Sequence, residues 1–403
     1  MSESFDAVVA GHICLDITPE IRTGGQSAAD LFRPGTLQAV GPATISTGGP
    51  VSNTGFPLRR LGLDAGLMGK CGDDVFGRAI IDCIRAEAPG AESGMRKVAG
   101  EQTSYTVVIS PPGIDRMFLH CPGANDTFGA DDIDADTVAS ARLMHFGYPP
   151  LMARTWADDG AELVKIFADA HDAGVTTSLD MAYPDPATPA GKADWSAILS
   201  KALPHVDVFT PSAEELTFML RRETFDKLSR QAEGRELLGL IDGKLLSGLG
   251  EQCVSAGAAV VLIKCGVHGM YLRTGSTERF GGTGRGGPED VDAWANRELF
   301  APSYSVDQIV SANGAGDCAI AGFLTAILHD CDAADALRFG CAVGAQNLSA
   351  VDTISGVRTW EKTVEQVKSQ PPQNEVSIDL SGWRLDKDSR LYVGPADSNA
   401  GGF

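Results

Sequence analysis

Residues 303–328 read SYSVDQIVSANGAGDCAIAGFLTAIL. A β-rich run, Ser303–Val310, passes through a turn of small residues, Ser311-Ala312-Asn313-Gly314-Ala315-Gly316-Asp317, into an apolar helix over Gly314–Leu328. Strand, glycine turn and helix make the repeating unit of a parallel sheet, where every strand needs a crossover before the next can run the same way. Upstream the alternation recurs. Arg142–Phe146 reads as strand, Asp158–Ala173 as helix, Val175–Leu179 as strand and Asp194–Ala202 as helix. Val206–Thr210 follows as strand, Ala213–Leu220 as helix and Ala258–Lys264 as a strong strand; downstream, Ala333–Ser349 is helical. The class this predicts is α/β, with a mostly parallel sheet flanked by helices.

Toward the N-terminus the pattern changes. Residues 5–10 form an apolar run ending in Gly11, a buried first strand. Gly49–Gly62 reads as a helix opening on a glycine-rich loop, Ala65–Gly69 as strand, and Val75–Ala86 as helix. Residues 36–47 and 102–121 are β-rich, the second broken by the turn signal Pro111-Pro112-Gly113. They are expected to form a small sheet apart from the main one. Two stretches look inserted: polar, helix-prone 221–256, and 275–302, which carries GGTGRGGPEDVD without periodicity and reads as a loop. The pattern fades in a tail over 373–403.

With 33 basic and 53 acidic residues among 403, the net charge is −20. Such a surface repels phosphate backbones and anionic lipid, which argues against nucleic-acid and membrane partners. Binding one nucleotide stays open, because helix N-termini and backbone amides hold phosphates without net positive charge. Nine cysteines are scattered singly, with no C-x-x-C pair, and read as reduced thiols. The opening MSESFDAVVAG lacks the basic and apolar regions of a leader, and no apolar run is long enough to span a bilayer. The expected location is cytoplasmic.

The turn at 311–317 carries the chemistry. Small residues at Gly314, Ala315 and Gly316 let consecutive amides converge at a helix N-terminus, which favours an anion. A carboxylate beside an anion hole suits phosphoryl transfer: the amides balance charge on the migrating group while Asp317 accepts the proton of an attacking hydroxyl. The plainer alternative is a glycine-rich turn with Asp317 as a helix cap. Gly282, Gly284 and Gly287 satisfy G-x-G-x-x-G, but Arg285 and Pro288 mark a solvated loop and no helix opens after the last glycine. No G-x-x-x-x-G-K-[ST] occurs, and no H-x-x-x-H or H-E-x-x-H pair suggests a metal site. His12, His120 and His145 read as packed or hydrogen-bonded on strands.

The segment 311–317 resembles the D-T-x-G-A-G-D signature of the ribokinase-like (PfkB) carbohydrate kinases. Gly48-Gly49-Pro50-Val51-Ser52-Asn53 resembles that family's G-G-x-x-x-N, and Gly69, Gly72, Asp73 and Gly77 its G-x-x-G-x-D-x-x-G. Asp16 stands in the place of the sugar-binding aspartate. Gly123-Ala124-Asn125 resembles the G-A-N after the second lid strand, and Gly266 and Gly269 the G-x-x-G turn of the nucleotide site. The resemblance spans roughly residues 5–360. It implies a doubly wound kinase domain over 1–372, with lid strands within 12–47 and 102–121. It also implies ATP with Mg²⁺, a small sugar substrate, and allows a homodimer through the lid. Residue by residue, it implies Asp317 as catalytic base and Gly314, Ala315 and Gly316 as anion hole. Asp16, Gly48, Gly49 and Asn53 would face the substrate. Ser212, Lys264, Gly266, Gly269 and Cys341 would lie about the nucleotide, with Glu215 organising Mg²⁺ through water.

Three departures from the pattern stand out, one of them a pair of residues. Ser311-Ala312 replaces the D-T pair, which removes a carboxylate linked to a monovalent-cation site; Ser212 replaces the asparagine of N-x-x-E; Lys264 replaces a small polar residue. Two alternatives to a sugar kinase follow: a nucleoside kinase of the same fold, or a sugar-binding regulator with impaired catalysis. A dehydrogenase is the weakest reading. Arg116 and His120, on the lid strand, are candidates for substrate contact or for covering the lid's exposed face.

Overall fold

The computed structural model describes residues 4–22, 34–112, 117–233, 237–350, 352 and 354–398. Arg116, and Gly113 of the expected lid turn, lie outside the described residues. Two sheets are present. The large one is built from β1 (Ala7–Gly11), β4 (Ala65–Gly72), β5 (Met95–Val98), β8 (Leu143–Gly147), β9 (Thr176–Asp180), β10 (Val208–Phe209), β11 (Val260–Lys264), β12 (Gly269–Thr274), β13 (Glu298–Pro302), β14 (Arg384–Asp386) and β15 (Leu391–Val393). The small one holds β2 (Cys14–Pro19), β3 (Ala43–Gly48), β6 (Tyr105–Ile109) and β7 (Met117–Cys121).

The large sheet runs β14-β15-β13-β12-β11-β10-β9-β8-β1-β4-β5. From β5 to β11 neighbours are parallel; beyond β11 each pairing is antiparallel. Both faces are covered, so the central strands are buried on both sides rather than alternating. In β1, Ala7 and Val9 join one hydrophobic layer while Val8 and Ala10 join the other. The first layer takes in helices Val75–Glu87, Ala315–Leu328 and Ala333–Asn347; the second takes in Ala153–Asp172, Trp195–Ala202, Ala213–Leu220 and Gly243–Ser255.

The strand expected at Ser303–Val310 is not there. The sheet strand is β13, which ends at Pro302, and Ile309 and Val310 are 62% and 46% exposed. Its first residue, Glu298, hid it inside the supposed loop 275–302. That carboxylate is buried and accepts from Ser247 Oγ at 2.6 Å and Tyr271 Oη at 3.1 Å, a satisfaction no local pattern announces. The tail also joins the sheet, through β14 and β15. The glycines 282, 284 and 287 lie in turns between the short helices Thr277–Phe280 and Val291–Trp294, consistent with a loop.

Sheet order decides where a site can form. The strand order reverses between β1 and β8, the kind of switch point at which open α/β sheets bind ligands beyond their strand ends. There Gly11 pairs with Gly147, and a Cβ on Gly11 would lie 2.6 Å from the Gly147 carbonyl oxygen. The close approach sets His12 and Tyr148, the next residues, side by side, with ring centroids 6.1 Å apart.

The small sheet is rooted at the same place. Asn125 grips the backbone of Ile13 at both ends, accepting from its N–H at 3.3 Å and donating to its carbonyl at 2.9 Å. Counting G-x-x-G-x-D-x-x-G from Gly69 puts its aspartate at Asp74, not Asp73, and the structure explains why it is needed. Asp74 caps the helix Val75–Glu87 through Gly77 N at 2.8 Å. It also accepts from Thr103 N at 2.9 Å and Thr103 Oγ at 2.7 Å, which ties that helix to the foot of β6. These motifs root the small sheet on the large one.

Candidate active site

Gly314 takes φ 72°, a left-handed turn that turns the chain sharply into helix Ala315–Leu328. The first-turn amides of a helix have no intrahelical acceptor. Here the Ala315 amide leans on the Ala312 carbonyl at 3.4 Å, and the Cys318 amide donates to the Gly314 carbonyl at 2.9 Å. Asp317, in that first turn, is 4% exposed. Asn53 Nδ2 donates to its Oδ2 at 3.2 Å, and the Tyr148 hydroxyl donates to Oδ1 and Oδ2 at 2.8 and 2.9 Å. Asn53 closes the helix Pro50–Asn53, whose Pro50 packs on Gly147 so tightly that a Cβ there would meet it at 2.5 Å. Two sequence-distant motifs thus share one carboxylate.

Next to Asp317 lies a cavity of about 300 Å³ lined by Ser212, Glu215, Lys264, Gly266, Gly314 and Gly316, among others. Ser212 and Glu215 form a reciprocal cap: Ser212 N donates to Glu215 Oε2 at 2.7 Å and Glu215 N to Ser212 Oγ at 3.2 Å. Serine in place of asparagine therefore keeps the helix start intact. Lys264, at the end of β11, donates to Asp180 Oδ1 at 2.7 Å, and the other oxygen of Asp180 is buried with no hydrogen-bond partner among the described residues. A Cβ on Gly316 would lie 3.5 Å from the Lys264 stem, so a larger residue would press on the lysine.

Four charges, Asp180, Glu215, Lys264 and Asp317, interact here. Burial pushes the Asp317 carboxyl above its ordinary range, while Lys264, Tyr148 and Asn53 pull it back. Burial also raises Glu215 and Asp180, again opposed by Lys264. Burial works against the Lys264 ammonium, but the three carboxylates outweigh it and hold it protonated.

The substrate-facing candidates stand on the other side of Asn53. Register puts Ser46, Asp16, Thr106 and His120 in one row across β3, β2, β6 and β7, so their side chains share a face of the small sheet. Asp16 lies against Gly48: a Cβ there would sit 2.5 Å from its Oδ2. Burial raises the Asp16 carboxyl to about 6, against hydrogen bonds from Cys14 and Thr106. Gly49, at φ 89°, backs onto His12.

Two sequence candidates stand apart from the cavity. Gly269 (φ 119°) opens β12, and a Cβ there would collide with the Ala301 carbonyl oxygen at 1.9 Å. Cys341 is buried, with its thiol on that same carbonyl at 3.8 Å. Sequence reasoning missed Tyr148, Asp180 and His12 as neighbours of the site. Tyr148 has φ 66°, and only its place just past the predicted strand 142–146 could have drawn notice.

The architecture is a doubly wound sheet with a separate small sheet rooted beside its switch point and a buried carboxylate at a helix start, which makes it an α/β protein with a ligand site of the switch-point kind. A family model described as pfkB family carbohydrate kinase matches residues 13–360. The chain belongs to that family and is a sugar kinase, an ATP-dependent phosphotransferase. It is 25% identical over 365 residues to a 2-dehydro-3-deoxygluconokinase of Bacillus subtilis, covering 86% of this chain and 95% of the relative. It is 26% identical over 342 residues to an ATP-dependent ribose-1-phosphate kinase of Halopiger xanaduensis, covering 83% and 89%. Among solved structures, Arabidopsis thaliana ribokinase complexed with ribose and ATP superposes with a TM-score of 0.65 at 19% identity, covering 91% of this chain and 99% of that one. Among the described residues, no helix is long and apolar enough to cross a membrane.

Proposed function

We propose that this chain transfers a phosphoryl group from ATP to a hydroxyl of a small sugar or sugar-like molecule, with Asp317 as general base. The contact between Asn53 and Asp317, at 3.2 Å across 264 residues of sequence, carries the reading. It joins the wall bearing Asp16 and Gly48 to the cavity bearing Lys264 and Glu215. A hydroxyl held by Asp16 and Asn53 reaches Asp317, which takes its proton. Tyr148 fixes the carboxylate by donating to both oxygens, so its lone pairs face the incoming hydroxyl. The amides of Gly316 and Asp317 and the Lys264 ammonium balance the charge that builds up during transfer.

The residues fit the nucleotide and its metal. Gly314 and Gly316 leave the backbone bare, Lys264 brings the positive charge, and Glu215 offers hard oxygens in the same cavity, with Asp180 buried behind Lys264. When bound, ATP supplies the phosphoryl group and Mg²⁺ screens its oxygens. Ser212, Lys264 and Gly266 would border the nucleotide, and Glu215 would hold Mg²⁺ through water. The test is an ADP-release screen over monosaccharides, polyols, sugar acids and nucleosides. Turnover is expected with a sugar or sugar acid; turnover with nucleosides alone, or with nothing, overturns the proposal.

Two variants probe the roles. Tyr148→Phe removes a donor that favours ionised Asp317. The acid limb of kcat/KM should then move to higher pH, by roughly one unit if the bond is worth ~1.5 kcal/mol; an unmoved limb refutes the orienting role. Gly48→Ala places a methyl against Asp16, so the sugar KM is expected to rise at least about 10-fold, equivalent to ~1.4 kcal/mol, with the ATP KM little changed. Equal losses for both substrates would assign Gly48 to folding alone.

A further inference from the structure

We propose that His12, Cys14 and His120 form a binding site for a thiophilic transition-metal cation, Zn²⁺ by ligand chemistry, at the joint between the lid and the main sheet. His12 follows β1, Cys14 opens β2 and His120 lies on β7, so one ion would bridge both sheets. Their ligand atoms all lie within 4.8 Å of one another. His12 Nε2 and His120 Nε2 are 3.4 Å apart, long for a hydrogen bond between rings. It matches the edge of a tetrahedron with Zn–N bonds of ~2.05 Å, about 3.35 Å.

Orientation supports the same reading. His120 Nδ1 is held by Thr106 Oγ at 3.0 Å, the outer hydrogen bond that usually aims a metal-binding imidazole. It points Nε2 at His12, which is 2% exposed. Among the described residues, the buried Nδ1 of His12 has no hydrogen-bond partner, and its Nε2 faces His120, the contact that a cation would strengthen. Cys14 Sγ rests 3.3 Å from Asp16 Oδ1 and 3.5 Å from Thr106 Oγ, on the same wall. Two imidazoles and a thiolate suit Zn²⁺ and exclude Mg²⁺, which demands oxygen ligands.

The consequence for catalysis rests on the proposed function. An ion there would pin the lid and stand beside Asp16, so Zn²⁺ should inhibit competitively with sugar, and a chelator should restore activity.

Metal-free, reduced full-length protein is titrated with Co²⁺. One ion per chain is expected, with a thiolate-to-cobalt charge-transfer band that Zn²⁺ displaces. Cys14→Ser should abolish the band. His120→Asn, at an exposed lid position that leaves the core untouched, should weaken binding at least about 10-fold, and Thr106→Val should weaken it by ~10-fold. No band under a stoichiometric excess of Co²⁺, or a band that survives Cys14→Ser, overturns the site. Because the spectrum needs no turnover, a failed acceptor screen would sink the kinase roles and leave the metal site standing.

Discussion

Asp317→Asn is expected to lower kcat by about 10³-fold or more, within or beyond the 10²–10⁴ range of positioned general bases, while sugar and ATP still bind. The amide keeps the size of the carboxyl and can still accept from Tyr148, so the fold and both binding surfaces persist. What disappears is the proton acceptor. Single-turnover ADP release together with calorimetric titration separates the two effects. Near wild-type turnover would remove Asp317 from the mechanism; lost binding of both substrates would make it a structural cap.

Lys264→Met should be nearly as damaging, for two separable reasons. Loss of a preorganised positive group facing the transferring phosphoryl is worth about 10²–10³-fold in kcat. The substitution also strands Asp180, which is fully buried, and breaking such a pair costs ~3–5 kcal/mol of stability. Adding Asp180→Asn should restore much of the stability but not the rate. The pH profile supplies an independent sign. Lys264 pulls the Asp317 carboxyl down, so without it the base stays protonated to higher pH and the acid limb moves up. If the double variant recovered full activity, Lys264 would be a structural partner of Asp180 and nothing more.

Lys264 also bears on the altered turn. Ser311 stands where the family pattern carries a carboxylate, and Ser311 Oγ accepts locally from Asn313 N at 3.2 Å. The positive charge beside the turn comes from the chain itself, through a side chain anchored by Asp180.

Much of the architecture was readable. Most helices and strands from β8 to β11 follow from apolar runs separated by amphipathic stretches, because a strand buried on both faces is largely apolar; β9 is the exception, its buried Thr177 hydroxyl donating to the His205 carbonyl and Ser178 Oγ meeting His145 Nδ1. The turn at 314–317 was legible because a left-handed residue and a tight helix start need glycine whatever surrounds them. Elsewhere local pattern misled. Val306, Ile309 and Val310 look like a strand but lie beyond the sheet, whereas β13 begins with a charged residue whose partners, Ser247 and Tyr271, are remote in sequence.

By itself the sequence determined the helix start that carries Asp317 and the Ser212–Glu215 cap, since each depends on residues a few positions apart. Only the tertiary structure decided that Tyr148 holds Asp317, that Lys264 pairs with Asp180, and that His12 meets His120. Those contacts exist because the fold brings distant segments together: a helix start against the residue after β8, β11 against β9 across β10, and β7 of the small sheet against the residue after β1. Strand order is settled by burial across the whole core, and no window of neighbouring residues contains it.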